Sequence, residues 1–332
     1  MILNLFYFIF LNICIRYLIK NDHEPIFITL PSLRILKKQY SQKLSIKMKI
    51  RFWYRILFAP FSLFLWNIDD LLFDYKKQKI NKPVFIIGGF RTGTTVIHRQ
   101  ILDKNKEFIA PRLFEILFPF LTIQYFLDFL EYLDNNYETK LIKTLDDIIL
   151  WFCGEEVMKC HYMSYINAEE DDLLLSVYLG IGWYNIIQYP FPELSFMVGQ
   201  IAKLTKEEQY HLQYFYHYFL QKCLFRRGEN NKRILCKSHL VDFIPLLKKN
   251  YKKCSFIYTF RDTNEMKESW SDLQKKAIIQ FHNKNYNLEE YNNDFWNLFY
   301  KDVEKYCKEN VISIEMRIFR EFSKQILENL KI

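Results

Sequence analysis

Two stretches of the chain collect residue types that handle anions and protons. The first is Gly88-Gly89-Phe90-Arg91-Thr92-Gly93-Thr94-Thr95. It follows Val84-Phe85-Ile86-Ile87, a short unbroken apolar run of the kind found in fully buried parallel strands, and precedes Val96–Leu102, which has helical spacing. Strand, Gly-containing loop and helix N-terminus aim successive backbone N–H groups at one point, which makes an anion site. Thr92, Thr94 and Thr95 add hydroxyls, and Arg91 adds a cationic fork suited to phosphate or sulfate. Gly88 and Gly93 keep the spacing of a Walker A loop, but Thr94 and Thr95 stand where that loop needs Lys and then Ser or Thr. The lysine that bridges β- and γ-phosphates is missing, which demotes a Mg-dependent kinase or NTPase.

The second stretch runs from 233 to 270. Arg233–Lys237 reads as a buried strand, Leu240–Tyr251 as a helix, Ser255–Phe260 as a second strand ending at Arg261-Asp262, and Asn264–Gln280 as a helix. In an open α/β sheet ligands bind outside the carboxyl ends of the strands, so Arg91, Lys237, His239 and Arg261 should face one crevice. A neutral imidazole there accepts a proton near pH 7, and fixed cations stabilise a growing oxyanion. Each residue also has a plainer reading: His239 as a cap of the following helix, and Arg261 as the partner of a surface acid. His98, inside a helix, reads as structural. Glu115 reads as a first-turn carboxylate before it reads as a base.

The rest of the chain must position these groups. Its 332 residues, half of them apolar, can bury a large core, and 8 Gly and 9 Pro exclude collagen-like or linker-like chains. The formal charge of +8 is local: residues 1–82 carry 14 Lys/Arg against 5 Asp/Glu, leaving 32 against 33 elsewhere. A nearly neutral body argues against nucleic acid as a partner. The surplus is densest from Arg34 to Arg55, and no acid occurs from Pro25 to Ile68. With the interrupted apolar start, residues 1–19, it suits an anionic membrane surface, so both a membrane-associated and a cytoplasmic location are expected. Ile56–Trp66 is too short to span a bilayer. Seven dispersed cysteines without a CxxC pair read as reduced core residues, and no metal cluster stands out. Residues 121–227 read as mostly helical and aromatic, with a capping box at Thr205 and Glu208 opening a helix through Phe225. His211, Tyr214, His217 and Tyr218 on it read as packing.

Pro83–Leu102 resembles the 5′-phosphosulfate loop of the sulfotransferases, in the group whose loop reads P-x-F-I-x-G-x-x-R-[ST]-G-T-T. Lys237-Ser238-His239-Leu240 is similar to that family's K-[ST]-H-L motif. Asn67–Phe73, Ala110–Glu115 and Ala168–Leu174 are similar to less specific segments of the group, with Phe114 in place of Trp. The resemblance covers roughly Asn67 to Leu273. It implies a three-layer, P-loop-like α/β fold with a parallel central sheet, a helical insertion at 121–227 between the two phosphate-binding motifs, and a helical N-terminal extension, residues 1–80, before a domain at 81–332. It also implies transfer of a sulfuryl group from 3′-phosphoadenosine-5′-phosphosulfate to a hydroxyl of a small-molecule acceptor, without a metal; the apolar, aromatic character of 121–227 points to a hydrophobic acceptor. His239 is then the general base, with Lys237 and Arg91 on the transferring group. Arg91, Thr92, Gly93, Thr94 and Thr95 hold the 5′ side of the donor, and Arg261 and Ser269 its 3′-phosphate. After a strand at 310–314 and a helix at 322–330 the chain ends where many relatives continue into a basic loop, so closure over the 3′-phosphate is expected to be missing or rebuilt. The competing expectations are a P-loop kinase or NTPase, and a non-catalytic, membrane-associated relative.

Overall fold

Every residue of Val84–Gly88 (β1) is buried, as an unbroken apolar run at the centre of a sheet must be. In the computed structural model five parallel strands lie in the order β2-β3-β1-β4-β5. The others are Phe108–Ile109 (β2), Arg233–Ser238 (β3), Ser255–Phe260 (β4) and Ile312–Glu315 (β5). Val84 pairs with Leu235 on one side and Ser255 on the other, which makes β1 the strand at which the order reverses. The structure describes residues 58, 61–137, 139–179, 181–182, 201–229, 231–282, 289–307 and 312–315. The apolar start, the basic stretch from Arg34 to Arg55 and the helix expected over 322–330 lie outside them.

Side chains of a strand alternate between faces, and the two faces of this sheet enter different layers. Val84, Ile86, Leu235 and Ile257 meet Ile97 and Ile101 of Thr94–Lys104 (α2). Phe85, Ile87, Cys236 and Phe256 enter the larger core with Trp66, Phe215 and Leu220. Helices on both faces give the expected three layers. Trp66 belongs to a helix over 61–72 (α1), and the end of the apolar run before the sheet, Leu65 and Trp66, is buried in the body.

The region between the motifs is helical where it is described: Leu113–Leu117 (α3), Leu121–Tyr137 (α4), Leu141–Cys153 (α5), Glu155–Cys160 (α6), Asp172–Tyr178 (α7) and Lys206–Arg227 (α8). α8 starts at the expected capping box, with Glu208 N donating to Thr205 Oγ1 at 3.2 Å and Thr205 N donating to Glu208 Oε2 at 2.8 Å. Gly228, at φ 63°, ends it. Ile244–Asn250 (α9), Thr263–His282 (α10) and Glu289–Tyr306 (α11) complete the described helices.

The first turn of α4 is capped from a distance. Asp69 of α1 accepts from Leu121 N at 2.6 Å, Thr122 N at 2.9 Å and Thr122 Oγ1 at 2.7 Å. The same carboxylate pairs with Lys222 of α8 at 2.9 Å, both side chains fully buried. One acid thus ties three helices together. The six described cysteines form no disulfide with one another.

Candidate active site

The loop after β1 turns because two residues adopt left-handed backbone, Arg91 at φ 64° and Gly93 at φ 82°. Glycine takes this conformation without penalty, whereas a non-glycine residue there is held by its surroundings. Arg91 is held at its tip: Nε donates to Ser269 Oγ at 2.8 Å and Nη1 to the Cys160 carbonyl at 3.0 Å. The loop also presses on β4. A Cβ on Gly88 would lie 2.1 Å from Thr259 Oγ1 and 2.9 Å from the Thr259 carbonyl oxygen, so only glycine fits between the strands. Thr92 donates its hydroxyl to the Gly89 carbonyl at 2.7 Å and lies 2.7 Å from Thr259 Oγ1. Its side chain therefore braces the loop from inside. Thr94 and Thr95 open α2.

The end of β3 delivers the second motif to this loop. Lys237 Nζ, fully buried, donates to Thr95 Oγ1 at 2.9 Å. His239 Nδ1 donates to the Gly88 carbonyl at 2.8 Å, which places its proton on Nδ1 and turns Nε2 toward Glu170. Its ring packs against Phe90 at 4.4 Å, and Phe90 stacks on Trp270 of α10 at 4.2 Å. Of the residues expected to converge, Arg91 meets Ser269, Lys237 meets Thr95 and His239 meets the loop. Arg261 stands apart at the end of β4, paired with Glu265 at 2.9 Å, the plainer partner anticipated for it.

The acids that surround this centre were legible only as a low-specificity acidic stretch. Asp171 N donates to the Lys237 carbonyl at 3.0 Å, docking residues 168–172 onto the end of β3. Glu170 Oε1 lies 2.8 Å from Lys237 Nζ and 3.5 Å from His239 Nε2. Glu169 pairs with Arg99 of α2 at 3.1 Å and with His161 at 3.1 Å. Asp172 accepts from His239 N at 2.9 Å, and Asp171 accepts from Tyr216. The available signal was four consecutive acids before an apolar run, because buried acids demand cations beside them.

Burial acts on every ionisable group here, and the neighbours decide the outcome. For Glu170 burial raises the pKa, but Lys237 and His161 outweigh it and hold the carboxyl well below its usual range. Burial and the facing Glu170 push Glu169 up. Burial pushes Asp171 up to about 7 and also raises Asp172. For His239 burial lowers the pKa, while Glu170 and Asp172 outweigh it, so the net shift is upward. His98 goes the other way. Buried, with Nε2 3.2 Å from the Leu235 carbonyl, it is lowered to about 3 by burial and by Lys237, as a structural histidine. Glu115 accepts from Arg112 N at 2.8 Å and pairs with Arg226 and Arg227, so it serves the start of α3.

His161, Glu169 and Glu170 place metal-ligating atoms within 4.8 Å of one another. Lys237 and Arg99 already supply these two carboxylates with positive charge, and the trio is satisfied as an ion-pair cluster. The two motifs, by contrast, have donors of the kind an oxyanion takes: the N-terminus of α2 with Thr94 and Thr95, and the Lys237 ammonium beside Thr95.

No known protein-family model matches the chain, and no curated protein matches it in sequence. Among solved structures it is similar to the sulfotransferase STF1 of Mycobacterium tuberculosis, with a TM-score of 0.69, 15% identity, and 96% of this chain and 87% of that one covered. The sulfotransferase STF9 of Mycobacterium avium is similar at a TM-score of 0.68 and 13% identity, covering 96% and 81%. The chain therefore has the sulfotransferase fold. The three-layer α/β architecture expected from the sequence is the one observed.

Proposed function

We propose that the protein is a sulfotransferase that moves the sulfuryl group of 3′-phosphoadenosine-5′-phosphosulfate to a hydroxyl of a small, hydrophobic acceptor. The observation that carries this reading is the direct bond between the two motifs, Lys237 Nζ to Thr95 Oγ1 at 2.9 Å, with His239 fixed beside it on the Gly88 carbonyl. Anion-holding groups and a proton acceptor thereby share one point.

The donor supplies an activated sulfuryl group whose leaving group is a phosphate. His239 Nε2 takes the acceptor's hydroxyl proton as the new S–O bond forms and the bond to the bridging phosphate oxygen breaks. Glu170, 3.5 Å from Nε2, stabilises the imidazolium produced. Lys237 and Arg91 oppose the charge that grows on the transferring group and the leaving phosphate, and Thr94, Thr95 and the N–H groups at the head of α2 keep that phosphate in line. Ser269 and Arg261 are assigned the 3′-phosphate, with Ser269 leaving Arg91 and Arg261 exchanging Glu265 for it.

The deciding experiment compares Mg-independent binding of adenosine 3′,5′-bisphosphate with Mg-dependent ATP turnover; preference for ATP would sink the proposal in favour of a kinase or NTPase. Bisphosphate binding without sulfate transfer to a broad panel of alcohols would favour a non-catalytic relative. Arg261→Ala is expected to weaken bisphosphate binding by about 1.5–3 kcal/mol, the loss of a charge-assisted contact, and to leave binding of adenosine 5′-phosphate unchanged. Titration calorimetry with the two nucleotides checks this.

No helix among the described residues is long and apolar enough to cross a membrane. The basic, apolar segment that precedes α1 is proposed to lie on an anionic bilayer surface. The full chain should then float with phosphatidylserine-containing vesicles and be released by salt, and failure to float at low salt counts against the idea.

A further inference from the structure

Cys160 and His161 are adjacent at the end of α6, and each grips a different part of the site. The Cys160 carbonyl accepts from Arg91 of the loop at 3.0 Å. His161 Nε2 lies 3.1 Å from Glu169 Oε2 and 3.5 Å from Glu170 Oε2. We propose that His161 is a positioning residue: it clamps the Glu169–Glu170 pair so that Glu170 stays between Lys237 and His239, and by doing so it sets how readily His239 gives up its proton. The proposal rests on the reading of His239 as the base.

The geometry leaves Glu170 no freedom. Oε1 faces Lys237 at 2.8 Å and His239 at 3.5 Å, while Oε2 faces His161. Glu169 is likewise divided, Oε1 to Arg99 and Oε2 to His161. Both carboxylates are buried side by side, where like charges repel strongly and each needs a cation. Lys237 from β3 and Arg99 from α2 are two such cations, and His161 is the third. Burial alone would lower His161, but Glu170 and Glu169 outweigh it and push it up to about 9, so the clamp is charged across the neutral range.

The other groups that face the cluster do not replace it. His98 of α2 stays neutral, held down to about 3. Asp172 of α7 adds negative charge beside His239. Lys276 of α10 reaches Cys160 Sγ at 3.5 Å and pairs with Asp272. Arg91 bonds Ser269 and the Cys160 carbonyl, not these acids. Removing the charge at 161 therefore leaves the acids to act on Lys237 and His239 alone. The cationic form of His239 is then favoured, and because a general base works in its neutral form, activity must move to higher pH.

The test is imidazole titration by NMR on the full chain, read beside the pH profile of sulfate transfer. In the wild-type protein His161 is expected to stay protonated well past pH 7. In His161→Gln the midpoint of His239 is expected to rise by about half a pH unit or more, the acid limb of the rate profile should move up with it, and turnover at pH 7 should fall about twofold to threefold or more with donor affinity kept. His161→Lys, which retains the charge, should hold the His239 midpoint near its wild-type value. A wild-type His161 that titrates near 6.5, or a folded His161→Gln with an unmoved His239 midpoint, would overturn the proposal. If His161→Gln does not fold, the wild-type and His161→Lys titrations decide. Because the titrations do not depend on turnover, a protein that transfers no sulfate can still show the clamp, and one that transfers sulfate can still lack it.

Discussion

Replacing His239 with alanine is expected to cut turnover by about 10²–10⁴-fold, the contribution of a well-placed general base, while affinity for adenosine 3′,5′-bisphosphate stays nearly constant. The separation follows from what the side chain touches. Its Nδ1 is occupied by the Gly88 carbonyl and its Nε2 faces Glu170, so neither nitrogen is part of the anion-holding set of Arg91, Thr94 and Thr95. The bond from His239 N to Asp172 is made by the backbone and survives the change. The Gly88 carbonyl loses a partner, at a cost of about 1 kcal/mol in stability, which a folded domain tolerates. Single-turnover transfer and equilibrium binding on the same preparation check the split, and equal losses in both would mean that the roles are wrongly divided. The pH dependence has a definite sign. His239 is raised, so its neutral, proton-accepting form dominates only above the ordinary histidine midpoint, and turnover should climb with pH through that raised value.

The largest effect on stability is expected far from the transferring group, at Asp69. Asp69→Ala should cost about 3–5 kcal/mol in urea unfolding, because it strands a buried cation. Lys222, fully buried, has Asp69 at 2.9 Å and the Trp66 ring at 3.3 Å from its nitrogen. Burial lowers its pKa even with Asp69 and Asp70 opposing. The change would also remove the acceptor of Leu121 N and Thr122 N at the head of α4. Adding Lys222→Met to Asp69→Ala should recover part of the loss, since the stranded charge is then gone. A loss below about 1 kcal/mol for Asp69→Ala would show that the pair is not held as described.

The elements that carry the site were readable because their signals are local. Val84–Ile87 reads as a buried strand, the glycines and threonines after it as a turn into a helix, and Thr205 with Glu208 as a helix start; the structure has a strand, a turn and two helix starts at these residues. Arg91, Lys237, His239 and Arg261 were assigned to one crevice by the rule that parallel strands present their carboxyl ends together, and Lys237 and His239 make direct contacts with the loop that holds Arg91. Arg261 shows the limit of such reasoning. Position at a strand end brings it to the right side of the sheet, but its partner, Glu265, is one helical turn away in sequence.

The acids and His161 were not assigned because their meaning is not local. Glu169 through Asp172 read only as a low-specificity acidic segment, yet they are buried, and they are tolerable there because Lys237, Arg99 and His161 arrive from three other segments. Asp69 is the same case, an acid of α1 whose partners lie more than fifty residues away. The amino-acid sequence by itself determined the strand-loop-helix and the chemical character of the loop, since periodicity, glycine geometry and hydroxyl placement act within a few residues. Only the tertiary structure decided which charges neutralise one another, because a buried carboxylate's proton affinity depends on cations a few ångströms away in space at positions the chain order does not disclose.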